Sequence, residues 1–198
     1  TNGVDFTPVA GPYDVLKSVG QDAFLWVGNP TQQWAVQSGN IYSDTFYTVA
    51  VDGSNNIYAG GYYTDDYYEN NQALVAKFDS QGNQLWAVTV NKQPSSSAEL
   101  TGLAVDPAGT SVYVTWDDGY YENPLMAKIS ATDGSMIWST RFSNLYGAEG
   151  AYIAQDGNPM MMGATSISGY DYNQAIAVKL SAADGTSIFT NALTTPGY

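Results

Sequence analysis

The chain has 198 residues, 44% of them apolar and only 13% charged, and its net charge of −13 reflects 6 Lys and Arg against 19 Asp and Glu. With so few cations no basic patch can be assembled to neutralise phosphates, which argues against nucleic-acid partners and against an anionic membrane surface. Histidine and cysteine are both absent, which removes the usual general base, the Ser-His and Cys-His nucleophile pairs, the usual transition-metal ligand and any disulfide.

What remains is a chain rich in material for strands and turns. It holds 16 Tyr, 5 Trp and 6 Phe to bury, with 20 Gly and 8 Pro as punctuation. No apolar run approaches the roughly 18 residues that would span a bilayer, so membrane insertion is not expected. The chain begins at Thr1 and not at a methionine, which suggests a processed or excerpted product. No Asn-x-Ser/Thr acceptor occurs without an intervening proline.

In chain order, residues 1–46 read as a degenerate first unit. Here 23-AFLWVG-28 and 33-QWAV-36 look like the second half of a repeat whose first half is missing. The next unit, 47–99, is the fullest. An alternating run (TVAV, 48–51) meets a polar turn (DGSNN) and a second run (IYAGG), the pattern of a tight hairpin. An acidic, Tyr-rich loop follows, then a third strand (ALVAKF, 73–78), a turn (DSQGNQ) and a fourth strand (LWAVTV, 85–90). Residues 100–149 and 150–198 repeat the scheme through 102-GLAVDPAGTSVYVTW-116 with 125-LMAKISATDGSMIWST-140, and 151-AYIAQDGNPMMMGAT-165 with 176-IAVKLSAADGTSIFTN-191. Lys77, Lys128 and Lys179 are 51 residues apart, and Trp86, Trp138 and Phe189 are 52 and 51 apart. A period near 50 residues, with four short strands per unit and no segment of helical periodicity, predicts an all-β propeller of four-stranded antiparallel blades, with three complete repeats and a partial N-terminal one.

The pattern (I/L)AVD-x-x-GN-x-YV-x-G followed by VAKLD-x-x-G-x-x-LW resembles the SBBP-type bacterial β-propeller repeat, well over 47–198 and weakly over 22–46. The segment 130-SATDGSMIWST-140 also resembles the strand-turn-strand core of quinoprotein, PQQ-type, propeller repeats. The SBBP resemblance implies an extracytoplasmic protein, whether secreted, at the cell surface, periplasmic or luminal. The PQQ resemblance carries no cofactor site, because four short copies do not supply the full ring such enzymes need. No cofactor is expected to be required. Propellers host many unrelated activities, so neither resemblance specifies a function.

The repeated residues read first as structure. Each lysine sits in an apolar third strand, and the expected partners are the carboxylates of the blade hairpins, Asp52, Asp106 and Asp156, in preference to a ring of cations at a binding face. Trp34, Trp86, Trp138 and Phe189 are expected to fill the space between blades.

The loops are the unusual part. Those joining strands two and three, and those passing between blades, share one face of a propeller. They carry Asp44, Asp65, Asp66, Glu69, Glu99, Asp117, Asp118, Glu122, Glu149 and Asp171, ten of the 19 acids, beside most of the tyrosines. The candidate ligand or partner site is Tyr62, Tyr63, Asp65, Asp66, Tyr67, Tyr68, Glu69, Trp116, Asp117, Asp118, Tyr120, Tyr121, Glu122, Tyr170, Asp171 and Tyr172. Asp65, Asp66, Glu69, Asp117, Asp118 and Glu122 form a candidate calcium set, since calcium takes clustered carboxylates, although their spacing does not match an EF-hand loop. Rings beside Asp and Asn also suit a glycan, and exposed tyrosines suit a protein partner. The expected function is therefore a non-catalytic binding or scaffolding module. The alternatives are a calcium-dependent, lectin-like propeller and, behind it, a carboxylate-based glycoside hydrolase. An open arc of blades would leave apolar faces uncovered, so self-association or membership of a longer chain is a further expectation.

Overall fold

The computed structural model describes residues 6–9, 23–29, 31–38, 44–64, 71–90, 97–117, 123–143, 145–166 and 173–192, with the first three segments described by their backbone alone. All its regular elements are strands. They are β1 (Phe6–Val9), β2 (Ala23–Asn29), β3 (Thr31–Ser38), β4 (Thr45–Val51), β5 (Ile57–Thr64), β6 (Asn71–Phe78), β7 (Gln84–Thr89), β8 (Glu99–Val105), β9 (Ser111–Asp117), β10 (Pro124–Ser130), β11 (Met136–Arg141), β12 (Tyr146–Ile153), β13 (Pro159–Ser166), β14 (Asn173–Leu180) and β15 (Ser187–Ala192). Three four-stranded antiparallel sheets follow one another, β4-β5-β6-β7, β8-β9-β10-β11 and β12-β13-β14-β15, here called blades one, two and three. Each is an up-and-down meander in sequence order, the form of a propeller blade. The described sheets do not close into a ring.

The N-terminal sheet is three-stranded, in the order β1-β3-β2. β2 and β3 stand for the third and fourth strands of a blade, as the sequence suggests. β1 was not foreseen, and it pairs with the outer edge of β3, Phe6 opposite Ser38; among the described residues no strand stands for the inner half of that unit.

The same irregularities recur in each blade. The pairing of first and second strands slips between Phe46 and Thr48, Leu100 and Gly102, and Ala148 and Gly150. That of third and fourth strands slips after each repeat lysine, at Lys77/Phe78, Lys128/Ile129 and Lys179/Leu180. A bulge bends its strand and re-aims the side chains beside it. Here it sets each lysine directly opposite its aromatic partner: Lys77 faces Trp86, Lys128 faces Trp138 and Lys179 faces Phe189.

Blades pack face to face, and the core lies between them. Between blades one and two, Tyr58 and Val75 meet Leu103, Val112, Val114, Ala127 and Ile129, with Trp86 and Val88 alongside. Between blades two and three, Tyr113 and Met126 meet Ala151, Met161, Ile176, Val178 and Leu180, with Trp138 alongside. The inner strands approach closely enough to require small residues. A Cβ on Gly60 would stand 2.6 Å from the Leu100 side chain, and one on Gly102 would stand 2.3 Å from the backbone nitrogen of Ala151.

Candidate functional site

The repeat lysines are structural, as expected, but two of the three take a partner different from the expected one. Lys77 Nζ donates to the backbone carbonyl of Ala131, 2.7 Å away in the next blade, and Lys128 Nζ donates to the carbonyl of Ala182 at 2.9 Å. The same two carbonyls accept the indole N–H of Trp86 at 3.2 Å and of Trp138 at 3.3 Å. Each ammonium also stands over a tyrosine ring of its own blade, Lys77 over Tyr58 at 5.1 Å and Lys128 over Tyr113 at 5.8 Å. A lysine and a tryptophan thus grip one carbonyl of the following blade, twice in the chain. The expected pairing with a hairpin carboxylate holds only in blade three, where Lys179 Nζ lies 2.7 Å from Asp156 Oδ2.

The acceptor carbonyls lie in the turns between third and fourth strands. Gly134 and Gly185 occupy those turns with φ of +75°, a conformation that favours glycine, and the Trp of the preceding blade passes directly over each. A Cβ on Gly185 would come within 2.6 Å of the Trp138 ring.

The hairpin aspartates that were expected to meet Lys77 and Lys128 are occupied locally. Asp52 accepts the backbone N–H groups of Ser54 and Asn56, the Asn56 side-chain amide and the Tyr58 hydroxyl. Burial works to raise the Asp52 carboxyl, but these hydrogen bonds outweigh it and hold the group below its ordinary value. Tyr58 shifts upward, through burial and then through the Asp52 hydrogen bond. Asp106 accepts the backbone N–H and hydroxyl of Thr110 in the corresponding turn of blade two.

On the loop-bearing face, four of the sixteen candidate residues are described: Tyr62, Tyr63, Trp116 and Asp117. Asp65, Asp66, Tyr67, Tyr68, Glu69, Asp118, Tyr120, Tyr121, Glu122, Tyr170, Asp171 and Tyr172 lie outside the described residues, and five of the six proposed calcium ligands with them. Among the described residues no group of three or more acidic side chains is gathered as a metal would need. Asp117, the sixth, accepts the backbone N–H of Ala148 in the next blade at 3.0 Å. Asp44 is buried and accepts the backbone N–H of Thr64 at 2.9 Å.

Around Tyr62 the structure assembles a small exposed cluster. The rings of Tyr47 and Tyr62 lie 5.6 Å apart and tilted, with Tyr47 56% exposed. The Tyr47 hydroxyl donates to Glu99 Oε2 at 3.3 Å, while Asn71 Nδ2 donates to Glu99 Oε1 at 2.8 Å. Thr64 in turn donates its hydroxyl to Asn71 Oδ1 at 2.9 Å. Burial, and then the Glu99 carboxylate, push the Tyr47 phenol up to about 12. Tyr47 and Asn71 were not singled out as binding residues from the sequence. Tyr47 is the bulge residue between Phe46 and Thr48, a displacement that no residue pattern announces. Trp116, at the end of β9, is 3% exposed, and its indole N–H has no acceptor among the described residues.

No protein-family model matches the chain, and no curated protein matches it. Among solved structures, the quinohemoprotein alcohol dehydrogenase ADHIIG from Pseudomonas putida HK5 is similar with a TM-score of 0.52 at 11% sequence identity, over 72% of this chain and 26% of that one. The chain therefore spans about a quarter of that protein's length. At this identity the likeness concerns fold alone, and with the three meander sheets it makes this an all-β, propeller-type chain.

Proposed function

We propose that the protein is a non-catalytic binding or scaffolding module that works outside the cytoplasm through its acidic, Tyr-rich loop face, with a protein or glycan as partner. The observation that carries this reading is the Tyr47–Tyr62 pair on that face, with Tyr47 exposed and its hydroxyl held by Glu99, which Asn71 holds in turn. Tyrosines presented in this way offer a large contact area at small entropic cost, and their hydroxyls remain able to accept from a ligand. The two described face aspartates, Asp44 and Asp117, are tied to backbone amides, which suits a structural carboxylate better than a catalytic pair. The location outside the cytoplasm rests on the SBBP-like repeat and the acidic, Cys-free composition.

The second reading is a calcium-dependent lectin, favoured by the acidic loops Asp-Asp-x-x-Glu-Asn at 65–70 and Asp-Asp-x-x-x-Glu-Asn at 117–123. One experiment addresses both. Ligands are selected on wild-type protein from a glycan array and a peptide-display library, with calcium and with chelator. They are then measured on the variant Tyr47→Ala with Glu99→Gln. Binding is expected to weaken about tenfold, the loss of one or two good contacts. Ligands that bind the variant as well as wild type would refute the site, and selection only in the presence of calcium would move the reading to the lectin.

A further inference from the structure

The described tyrosines of blades one and two occur in two settings. Tyr58 and Tyr113 occupy the same position of the repeat, and a lysine of the same blade stands over each ring, at 5.1 and 5.8 Å. Tyr47 and Tyr62 belong to no such plan. The strand pairing makes Thr101 and Glu149 the counterparts of Tyr47, and Asp117 and Ala164 those of Tyr62. A blade can therefore be built without either ring. Among the described residues neither ring has a cation over it.

Beside Tyr47 stands Glu99, an exposed carboxylate on the first strand of the neighbouring blade. Its Oε2 takes the Tyr47 hydroxyl at 3.3 Å and its Oε1 takes Asn71 Nδ2 at 2.8 Å. A carboxylate has about four lone-pair sites, so each oxygen, with one neutral donor, keeps room for another. Glu99 pairs with no cation among the described residues. Asn71 is itself oriented by the Thr64 hydroxyl at 2.9 Å. The carboxylate is thus held in place before a ligand arrives, which lowers the cost of ordering it on binding. The rings of Tyr47 and Tyr62, 5.6 Å apart and inclined at 49°, form an open aromatic wall next to it.

Two remaining acceptor sites on one carboxylate match the paired N–H groups of a guanidinium, whose flat face also stacks on a tyrosine ring. An ammonium has no fork and no flat face, and a neutral sugar would use the rings without the charge. The chain's net charge of −13 draws a cationic partner toward it. We propose that Tyr47, Tyr62 and Glu99 form a recognition site for an arginine side chain of a protein partner, an inference that rests on the loop face being a binding surface.

The probes are two capped Gly-Ser peptides, one carrying a pair of arginines and the other a pair of lysines at the same positions. Each is titrated into the full chain at low and high salt, with backbone amide chemical shifts as the readout. The arginine peptide is expected to bind about tenfold more tightly than the lysine peptide, and to move the amide signals of Tyr47 and Glu99. Tyr47→Leu and Glu99→Gln should each weaken it several-fold, whereas Tyr47→Phe, which keeps the ring, should hold its affinity within about twofold. Both residues are exposed, so every variant should keep the wild-type circular dichroism. The comparison of arginine with lysine needs no variant at all. Equal affinity for the two peptides overturns the proposal. So does an arginine peptide that binds Tyr47→Leu and Glu99→Gln as well as wild type, since that is attraction to diffuse charge alone. An arginine peptide that does not bind wild type overturns it too. The loop face is then judged separately, by whether neutral ligands selected on it are lost in Tyr47→Leu.

Discussion

Lys77→Met tests whether the blades are joined as the structure indicates. The substitution keeps the length and apolar stem of the side chain, and removes an ammonium that is almost fully buried, 2.7 Å from the Ala131 carbonyl and 5.1 Å from the centre of the Tyr58 ring. A hydrogen bond from a charged donor contributes about 1.5–3 kcal/mol. Against that loss, the variant no longer desolvates a cation in a largely apolar interface. The carbonyl also keeps Trp86 Nε1 at 3.2 Å. The net loss expected is about 1–2 kcal/mol, which for a chain of this size lowers the melting temperature by about 3–6 °C. Trp86→Phe copies the residue that blade three has at this position, and should cost about 0.5–1.5 kcal/mol because Lys77 remains. The double variant leaves the carbonyl without either donor, so its loss should exceed the sum of the two by about 1 kcal/mol. Lys179→Met is the internal control. It removes a solvent-exposed ion pair, with side chains 16% and 51% exposed, and should cost much less than Lys77→Met. Urea and thermal unfolding of the four variants decide the matter. If Lys77→Met is as mild as Lys179→Met, or if the double variant is simply additive, the shared-carbonyl junction is wrong.

Two further predictions concern the turns. Asp52→Asn should destabilise the protein at pH 7, since an amide cannot accept all four of the hydrogen bonds the carboxylate receives. The folded-state pKa of Asp52 is lowered, so its contribution is present above the ordinary value of 3.8 and is lost as pH falls through the lower folded value. Urea midpoints of variant and wild type should therefore converge below about pH 4, and a gap that persists unchanged to pH 2 would exclude the carboxylate as its source. Gly134→Ala should cost more than Gly157→Ala, because both residues have positive φ but only Gly134 has the neighbouring blade within 2.8 Å of the added Cβ. The second substitution should cost about 1 kcal/mol from backbone strain alone, and equal losses would mean that the neighbouring blade yields freely.

The blade plan was legible in the sequence because its signals are local. Alternation of apolar and polar residues, Asp-Gly and Asn-containing turns and a period near 50 residues each report on a few neighbouring positions, and together they set strand, turn and repeat. The candidate site was legible only as composition. Its acids and tyrosines could be assigned to one face, but Tyr47 enters the cluster through a one-residue slip in pairing, and slips leave no mark in residue type.

The partner of the repeat lysine shows where local reading stops. Three lysines near three aspartates suggest three ion pairs, and the sequence correctly marks the lysines as structural. Only the tertiary structure brings the Ala131 carbonyl to Lys77, 54 residues away, and the Ala182 carbonyl to Lys128. A backbone carbonyl is carried by every residue, so composition cannot indicate which one will point into the next blade. That direction is decided by the bulge, the glycine turn and the packing of one sheet on another, and in blade three the lysine turns instead to its own hairpin aspartate.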